Sequence, residues 1–302
     1  MQSARLIYNL AKVRVLRIKL WFACVLRSLN LGLPIRYSAF PLLSEINWAK
    51  SIKLNPNDSC NPRLHSTLDV IVSLYRFEDF RKVLELSLGS CFDNPKIKFH
   101  FVLVSGSKSE SSWLRNLTHN SHHKLYEFQE RIGIYTAWNT AIKNGNGKFI
   151  TNLNADDLRI PHSLCNQAVS LQESGASGSY GNFVLVDRIL STVKQLENPV
   201  LTSSLGAFDL ETLVIKSQNF MHCAPMWERS LHSKVGIFDD TLFSSGDTEF
   251  WLRAMSRGAQ FVSYHPVTTV YFYNPDGLST SISSKGRHEW ATVRDSFLRS
   301  TA

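Results

Sequence analysis

An α/β layer fold with a mainly parallel central sheet flanked by helices is what the sequence predicts, and three observations predict it. Short apolar, β-branched runs recur at Asp69 to Leu74, Phe99 to Val104 and Lys148 to Leu153, the pattern of strands buried on both faces. Helix-period runs separate them. Several of the strands end in polar, turn-forming residues, and in open α/β sheets that end of the strand is where ligands bind.

The first element is a basic amphipathic arm, residues 1–45. No acid precedes Glu45, whereas seven bases do: Arg5, Lys12, Arg14, Arg17, Lys19, Arg27 and Arg36. Ile18, Trp21, Phe22, Val25 and Leu29 fall at helical spacing among them. The longest charge-free stretch, Leu20 to Leu26, is far short of the roughly 20 apolar residues that span a bilayer. A cationic amphipathic helix of this kind suits peripheral contact through residues 1–44 with an anionic membrane face, the alternative being packing on protein. The expected location is cytoplasmic, at the membrane's inner face. Asn55-Pro56-Asn57-Asp58 and Asn61-Pro62 then mark a linker, residues 46–66.

The body should extend from 67 to 285. After the first strand, Phe80, Val83, Leu84 and Leu88 fall at helical spacing. The second strand ends in Ser105-Gly106-Ser107, a helix fits 109–119, and a third strand fits Lys124 to Phe128. Ile134, Ala137, Trp138, Ala141 and Ile142 fit the amphipathic helix template, with Gly145 and Gly147 closing it. The fourth strand runs straight into Asn154-Ala155-Asp156-Asp157, and Pro161 opens the next helix. Beyond it, Gly178 to Val186 reads as a strand-pair element, and Tyr271 to Ser279 as a strand leading into a turn. Phe220 to Trp227 reads as core packing, with aromatics stacking on a sugar ring as the alternative, and His222 reads as an interior histidine. Residues 286–302 read as a tail.

Composition removes several functions. The net charge of +8 comes from 33 bases and 25 acids. Without the arm's seven bases the rest is close to neutral, so a nucleic-acid binder is excluded. Gly145-x-Gly147 lies between a helix and a strand, the wrong order for a dinucleotide fingerprint, and no phosphate-binding glycine–lysine loop is present. Five cysteines, none in a C-x-x-C pair, suggest reduced thiols. His122-His123 has no ligand partner at metal spacing.

Two constellations could do chemistry. Adjacent carboxylates at Asp156 and Asp157 are costly to crowd without a counter-charge, and a hard divalent cation that also bridges a diphosphate supplies one. Asp157 could equally start the next helix. Ser245-Gly246-Asp247-Thr248-Glu249-Phe250-Trp251 opens a second helix. Its two acids suit the helix dipole, and an ionised carboxylate there also suits a general base.

The order of these pieces, with Gly133-Ile134-Tyr135-x-Ala137-Trp138-Asn139, Gly236-Ile237-Phe238-Asp239 and Gly246-Asp247-x-Glu249-Phe250-Trp251-Leu252-Arg253, resembles the family 2 glycosyltransferases of the GT-A fold over about residues 67–280. The resemblance implies an inverting, metal-dependent enzyme that moves a sugar from a nucleotide-diphosphate sugar to a hydroxyl acceptor, a polysaccharide or lipid-linked glycan precursor. It divides the body into a nucleotide-sugar half (67–180) and an acceptor half (181–285). It implies Asp247 as catalytic base and Asp156 as ligand to Mg²⁺ or Mn²⁺. Ser73, Tyr75, Asn139, Asn154, Asp157 and Arg131 fall on the donor side. Asn154 stands where the family has the first aspartate of its D-x-D element. Ser105-Gly106-Ser107 replaces a base-contacting acid, and Arg131 and Thr136 occupy places acidic in many relatives. Those departures motivate one alternative, a catalytically degenerate binding module, and the shared layer architecture motivates another, a nucleotidyltransferase.

Overall fold

A computed structural model of the chain describes residues 60–186, 201–202, 205–221, 223–272 and 285–301. The arm, most of the linker, His222 and the turn after Phe272 lie outside them. Each β-branched run forms a strand: β1 (Leu68–Leu74), β2 (Ile97–Val104), β3 (Lys124–Phe128) and β4 (Phe149–Asn154). These lie parallel in the order β3-β2-β1-β4. β5 (Leu158–Arg159), β6 (Gly178–Val186), β7 (Leu201–Thr202), β8 (Met226–Glu228) and β9 (Phe261–Phe272) extend the sheet to β3-β2-β1-β4-β8-β6-β9-β5, with β7 on β6. β8 is antiparallel to β4 and β6, while β6 and β9 are parallel. Residues 178–186, expected as a strand pair, are thus one strand whose long partner is more than 80 residues away.

Helices cover both faces, because successive side chains of a strand point to opposite sides. On one side Val70, Val72, Phe99, Phe101 and Phe149 meet Leu84 and Leu88 of α1 (Arg81–Leu88), Leu114 of α2 (Lys108–Thr118) and Leu164 of α4 (Pro161–Ser174). On the other, Ile71, Val102 and Ile150 meet Ala137, Trp138 and Ile142 of α3 (Ile134–Asn144) and Phe250 and Trp251 of α6 (Gly246–Ser256). The short α5 (Ser230–Val235) adds Leu231 and Val235 to this second core. Each such side chain, fully buried, contributes about 1.5–3 kcal/mol. Phe220, Met221, Cys223, Met226 and Trp227 are buried, as the core-packing reading required.

The C-terminal stretch is a correction. It is not a featureless tail but a helix, α7 (Lys285–Thr301), whose Trp290, Val293 and Phe297 pack against the second core. The thiols are a second correction, since Cys60 and Cys165 are joined in a disulfide. Residues 60–66 run along α4, with Asn61 Nδ2 donating to Asn166 Oδ1 and Ser66 Oγ to Gln172 Oε1. Cys91 and Cys223 are buried and take no part in the disulfide.

At the amino end of the strands lies a buried ionic cluster. Asp69 accepts from the Gly147 amide (2.7 Å) and pairs with Arg229 (2.5 Å) and His100 (3.1 Å). Burial alone would raise the Asp69 carboxyl, but His100, Gly147 and Arg229 hold it below the ordinary value. Gly145 and Gly147 owe their identity to this cluster. A Cβ on Gly147 would come within 2.7 Å of the Asp69 backbone nitrogen, and neither glycine has the left-handed conformation of a helix stop.

Candidate active site

The opposite, carboxyl end of β1 and β4 carries four of the expected donor residues, Ser73, Tyr75, Asn154 and Asp157. Ser73 is the register partner of Asn154 across these strands. Just past β1 and β2 the chain turns through left-handed residues, Arg76 and Ser105, both at φ 49°. Such conformations cost free energy in non-glycine residues and cluster at functional sites. Glu110 ties the two turns together by accepting from the Glu78 amide (3.0 Å) and the Ser107 amide (2.7 Å). Tyr75 is 41% exposed, with the guanidinium groups of Arg131 and Arg76 at 5.0 and 5.2 Å from its ring centroid. Arg131 therefore stands beside the Tyr75 ring at the mouth of β1.

After β4 the carboxylates divide in character. Asp157 is buried, and its Oδ2 accepts from Asn154 Nδ2 at 2.8 Å, while Asn154 Oδ1 accepts from Asn152 Nδ2 at 3.1 Å. Asp157 does not start the next helix, because β5 intervenes and Ile160 is the residue before α4. Asp156 is half-buried, and burial raises its carboxyl above the ordinary value, with only its own backbone amide opposing. A carboxylate in that position fits a bound cation. Asn152 Oδ1, on β4 four residues earlier, is buried without a partner. Asn154 has both ends of its amide engaged. Among the described residues no cluster of three or more His, Cys, Asp or Glu could hold a metal by itself, so a divalent ion here would need oxygens from a diphosphate, as Mg²⁺ commonly does.

Asp247, in the first turn of α6, is held from two sides. The Tyr135 hydroxyl donates to Oδ1 at 3.1 Å and Asn219 Nδ2 to Oδ2 at 3.0 Å. Thr248 Oγ1 adds a longer bond to Oδ1, 3.3 Å. Burial raises the Asp247 carboxyl, and bonds from the Thr248 amide, Tyr135, Thr248 Oγ1 and Asn219 offset only part of this. Tyr135 is itself pushed far up, by burial first and Asp247 second. Gly246 is required by this packing, since a Cβ there would lie 2.7 Å from the Tyr135 ring. The other first-turn acid, Glu249, is spent in a two-pronged pair with Arg253, 2.7 Å to each oxygen. Arg253 in turn caps the carbonyl of Ile237. The helix thus separates a structural acid from one that is poised.

Two connections bring the halves together. On α3, Tyr135 reaches Asp247 while Trp138, three residues on, donates from Nε1 to Ser73 Oγ at 3.3 Å. Three residues advance a helix by about 4.5 Å. Second, the segment 219–223 starts at Asn219, whose Oδ1 accepts from the Met221 amide, and reaches Cys223. The Cys223 thiol is raised by burial and by the Asp157 and Asp156 carboxylates. Tyr135 and Asn219 were not singled out in the sequence. Tyr135 lay in a quoted motif, whereas nothing local marks Asn219. Asn139, expected on the donor side, is turned elsewhere. Its Nδ2 donates to the Phe238 carbonyl (2.8 Å) and its Oδ1 accepts from the Phe238 amide (3.1 Å), so it locks the 236–239 turn onto α3 instead.

The two-sided α/β sheet with helices on both faces has the architecture of the GT-A fold class. The family model described as Glycosyl transferase family 2 matches residues 69–233, more than half of the chain. The chain belongs to glycosyltransferase family 2. An uncharacterised glycosyltransferase of Rickettsia conorii is 21% identical over 192 residues, 63% of this chain but 31% of the relative. One of Rickettsia prowazekii is 22% identical over 208 residues, 68% of this chain and 60% of the relative. The chain therefore spans less than two thirds of either. Among solved structures, S. aureus TarS 1–349 in complex with UDP-GlcNAc superposes with a TM-score of 0.57 at 16% identity, covering 75% of this chain and 64% of that 1–349 chain. The mannosyltransferase PcManGT from Pyrobaculum calidifontis, in complex with GDP-Man and Mn²⁺, gives 0.50 at 20%, covering 85% and 69%. These likenesses establish the fold.

Proposed function

We propose that the chain transfers a sugar from a nucleotide-diphosphate sugar to a hydroxyl of a glycan or lipid-linked acceptor, with inversion at the anomeric carbon. The observation that carries this reading is the Asp247 carboxylate, desolvated yet fixed by Tyr135 and Asn219. A base matched to its task needs a carboxyl raised toward the working pH. In the proposed step Asp247 takes the acceptor's hydroxyl proton as that oxygen bonds to the anomeric carbon. The bond from carbon to the diphosphate oxygen breaks, and the nucleoside diphosphate leaves with the electron pair. A divalent cation, when bound at Asp156, would supply positive charge to the leaving diphosphate. Ser73 and Tyr75 would border the nucleoside, Arg131 would present its guanidinium to the donor phosphates, and Asn154 with Asp157 would shape the floor beneath the sugar.

The supporting comparison is that TarS and PcManGT are described with UDP-GlcNAc and with GDP-Man and Mn²⁺. The test is a thermal-shift panel of UDP-GlcNAc and GDP-mannose with and without Mn²⁺, followed by nucleoside diphosphate release. A binding donor raises the melting temperature by mass action, and Asp247→Asn should keep that shift while lowering release by about 10²-fold. No shift with any donor, or full release by Asp247→Asn, would refute the reading. Peripheral membrane contact through residues 1–44 belongs to the same proposal. No helix among the described residues is long and apolar enough to cross a membrane. Deleting 1–44 should abolish co-sedimentation with anionic vesicles.

A further inference from the structure

The backbone leading into α6 is held by a residue from the far end of the chain. The amides of Phe243, Ser244 and Ser245 all donate to the carboxylate of Glu289 on α7, at 2.6, 2.8 and 2.8 Å. Successive amides that converge in this way form an anion-binding concavity, and here a carboxylate of the same chain fills it. Both oxygens are used: Oε1 takes Phe243, and Oε2 takes Ser244 and Ser245. The Ser245 side chain does not cap α6, and Glu289, 44 residues away, instead holds the Ser245 backbone N–H at the helix entrance. Asp247 follows two residues later. Trp290, beside Glu289, and Val293, one turn on, seat α7 on the core that also holds Phe250 and Trp251 of α6.

We propose that Glu289 is a positioning residue for Asp247. By clamping three amides it fixes the first turn of α6, and with it the Asp247 carboxylate between Tyr135 and Asn219. Helix α7 is then part of the catalytic unit and not an appendage. The inference rests on Asp247 being the base. A glutamine at 289 offers one acceptor oxygen, and its NH₂ would face an amide N–H, so the fork is lost while size is kept.

The experiment is a double-mutant cycle on the full chain, with nucleoside diphosphate release from UDP-GlcNAc or GDP-mannose in Mn²⁺ as readout. Glu289→Gln should lower kcat about tenfold and leave the donor KM within about twofold. In an Asp247→Asn background the same change should cost less than about twofold, because residues that act as a unit are not additive. Equal losses in both backgrounds, a loss confined to the donor KM, or an unchanged kcat would each overturn the proposal while leaving the base intact. Near-normal release by Asp247→Asn would overturn the base itself, and with it the coupling. Amide exchange decides the structural half independently of turnover. Protection at 243–247 should fall at least about tenfold in Glu289→Gln with later α6 amides unchanged, and unaltered protection there would overturn the clamp.

Discussion

Tyr135 and Asp247, 112 positions apart, share a hydrogen bond of 3.1 Å in which the phenol donates to the carboxylate. That bond favours the ionised acid, whereas burial disfavours it. Tyr135→Phe should therefore raise the Asp247 carboxyl further. The acid limb of the kcat profile should move to higher pH, and turnover at neutral pH should fall about 10-fold, a hydrogen bond to a charged group being worth about 1.5–3 kcal/mol. A pH–rate profile of donor cleavage checks both the direction and the size.

Asp156→Ala should remove the metal-dependent part of donor binding. Calorimetric titration with UDP-GlcNAc or GDP-mannose should show binding that no longer responds to Mn²⁺, weakened about 10-fold or more. Titrations in Mn²⁺ that match the unaltered protein would exclude Asp156 as a ligand.

Asp69→Asn should destabilise the fold without touching the site, since it leaves the Arg229 guanidinium without its ion-pair partner at the opposite end of the sheet. Breaking a buried pair from one side costs about 3–5 kcal/mol, readable by urea denaturation. Because the folded Asp69 carboxyl lies below its unfolded value of about 3.9, its stabilisation is present above that pH. It is lost as pH falls through the folded value, so Asp69→Asn should also flatten the protein's acid denaturation.

Cys60→Ser opens a loop of 105 residues. A native crosslink of that reach is worth about 2–5 kcal/mol, so melting temperature should fall in the variant, and fall equally in the parent protein under a strong reductant.

Much of this arrangement was legible before any coordinates. β1, β2 and β4 announce themselves because each is buried on both faces, and α3 because its apolar residues keep one stripe. Asp156 and Asp247 are legible as candidates only, since two adjacent acids call for a counter-charge while a helix-mouth acid also suits the helix dipole, as Glu249 does. The missing parts share one physical cause, dependence on distant partners. Asn219 is an ordinary amide until Asp247 lies beside it, and Cys60 needs α4 before it has a mate. β6 pairs in parallel with a strand more than 80 residues on, which local alternation cannot register. Helix α7 is hard to read although Trp290, Val293 and Phe297 keep a helical stripe, because nine charged and hydroxyl residues from Lys285 to Ser300 dilute it. Asn139 misled because its motif position agreed with the donor side while its amide points at Phe238.

Helix α3 carries Tyr135 and Trp138 on one rigid rod, the first touching Asp247 and the second Ser73. A shift or rotation of that rod would disturb both hydrogen bonds at once. The two distant segments are therefore registered against each other through a single helix, and a change at either contact is felt at the other through α3.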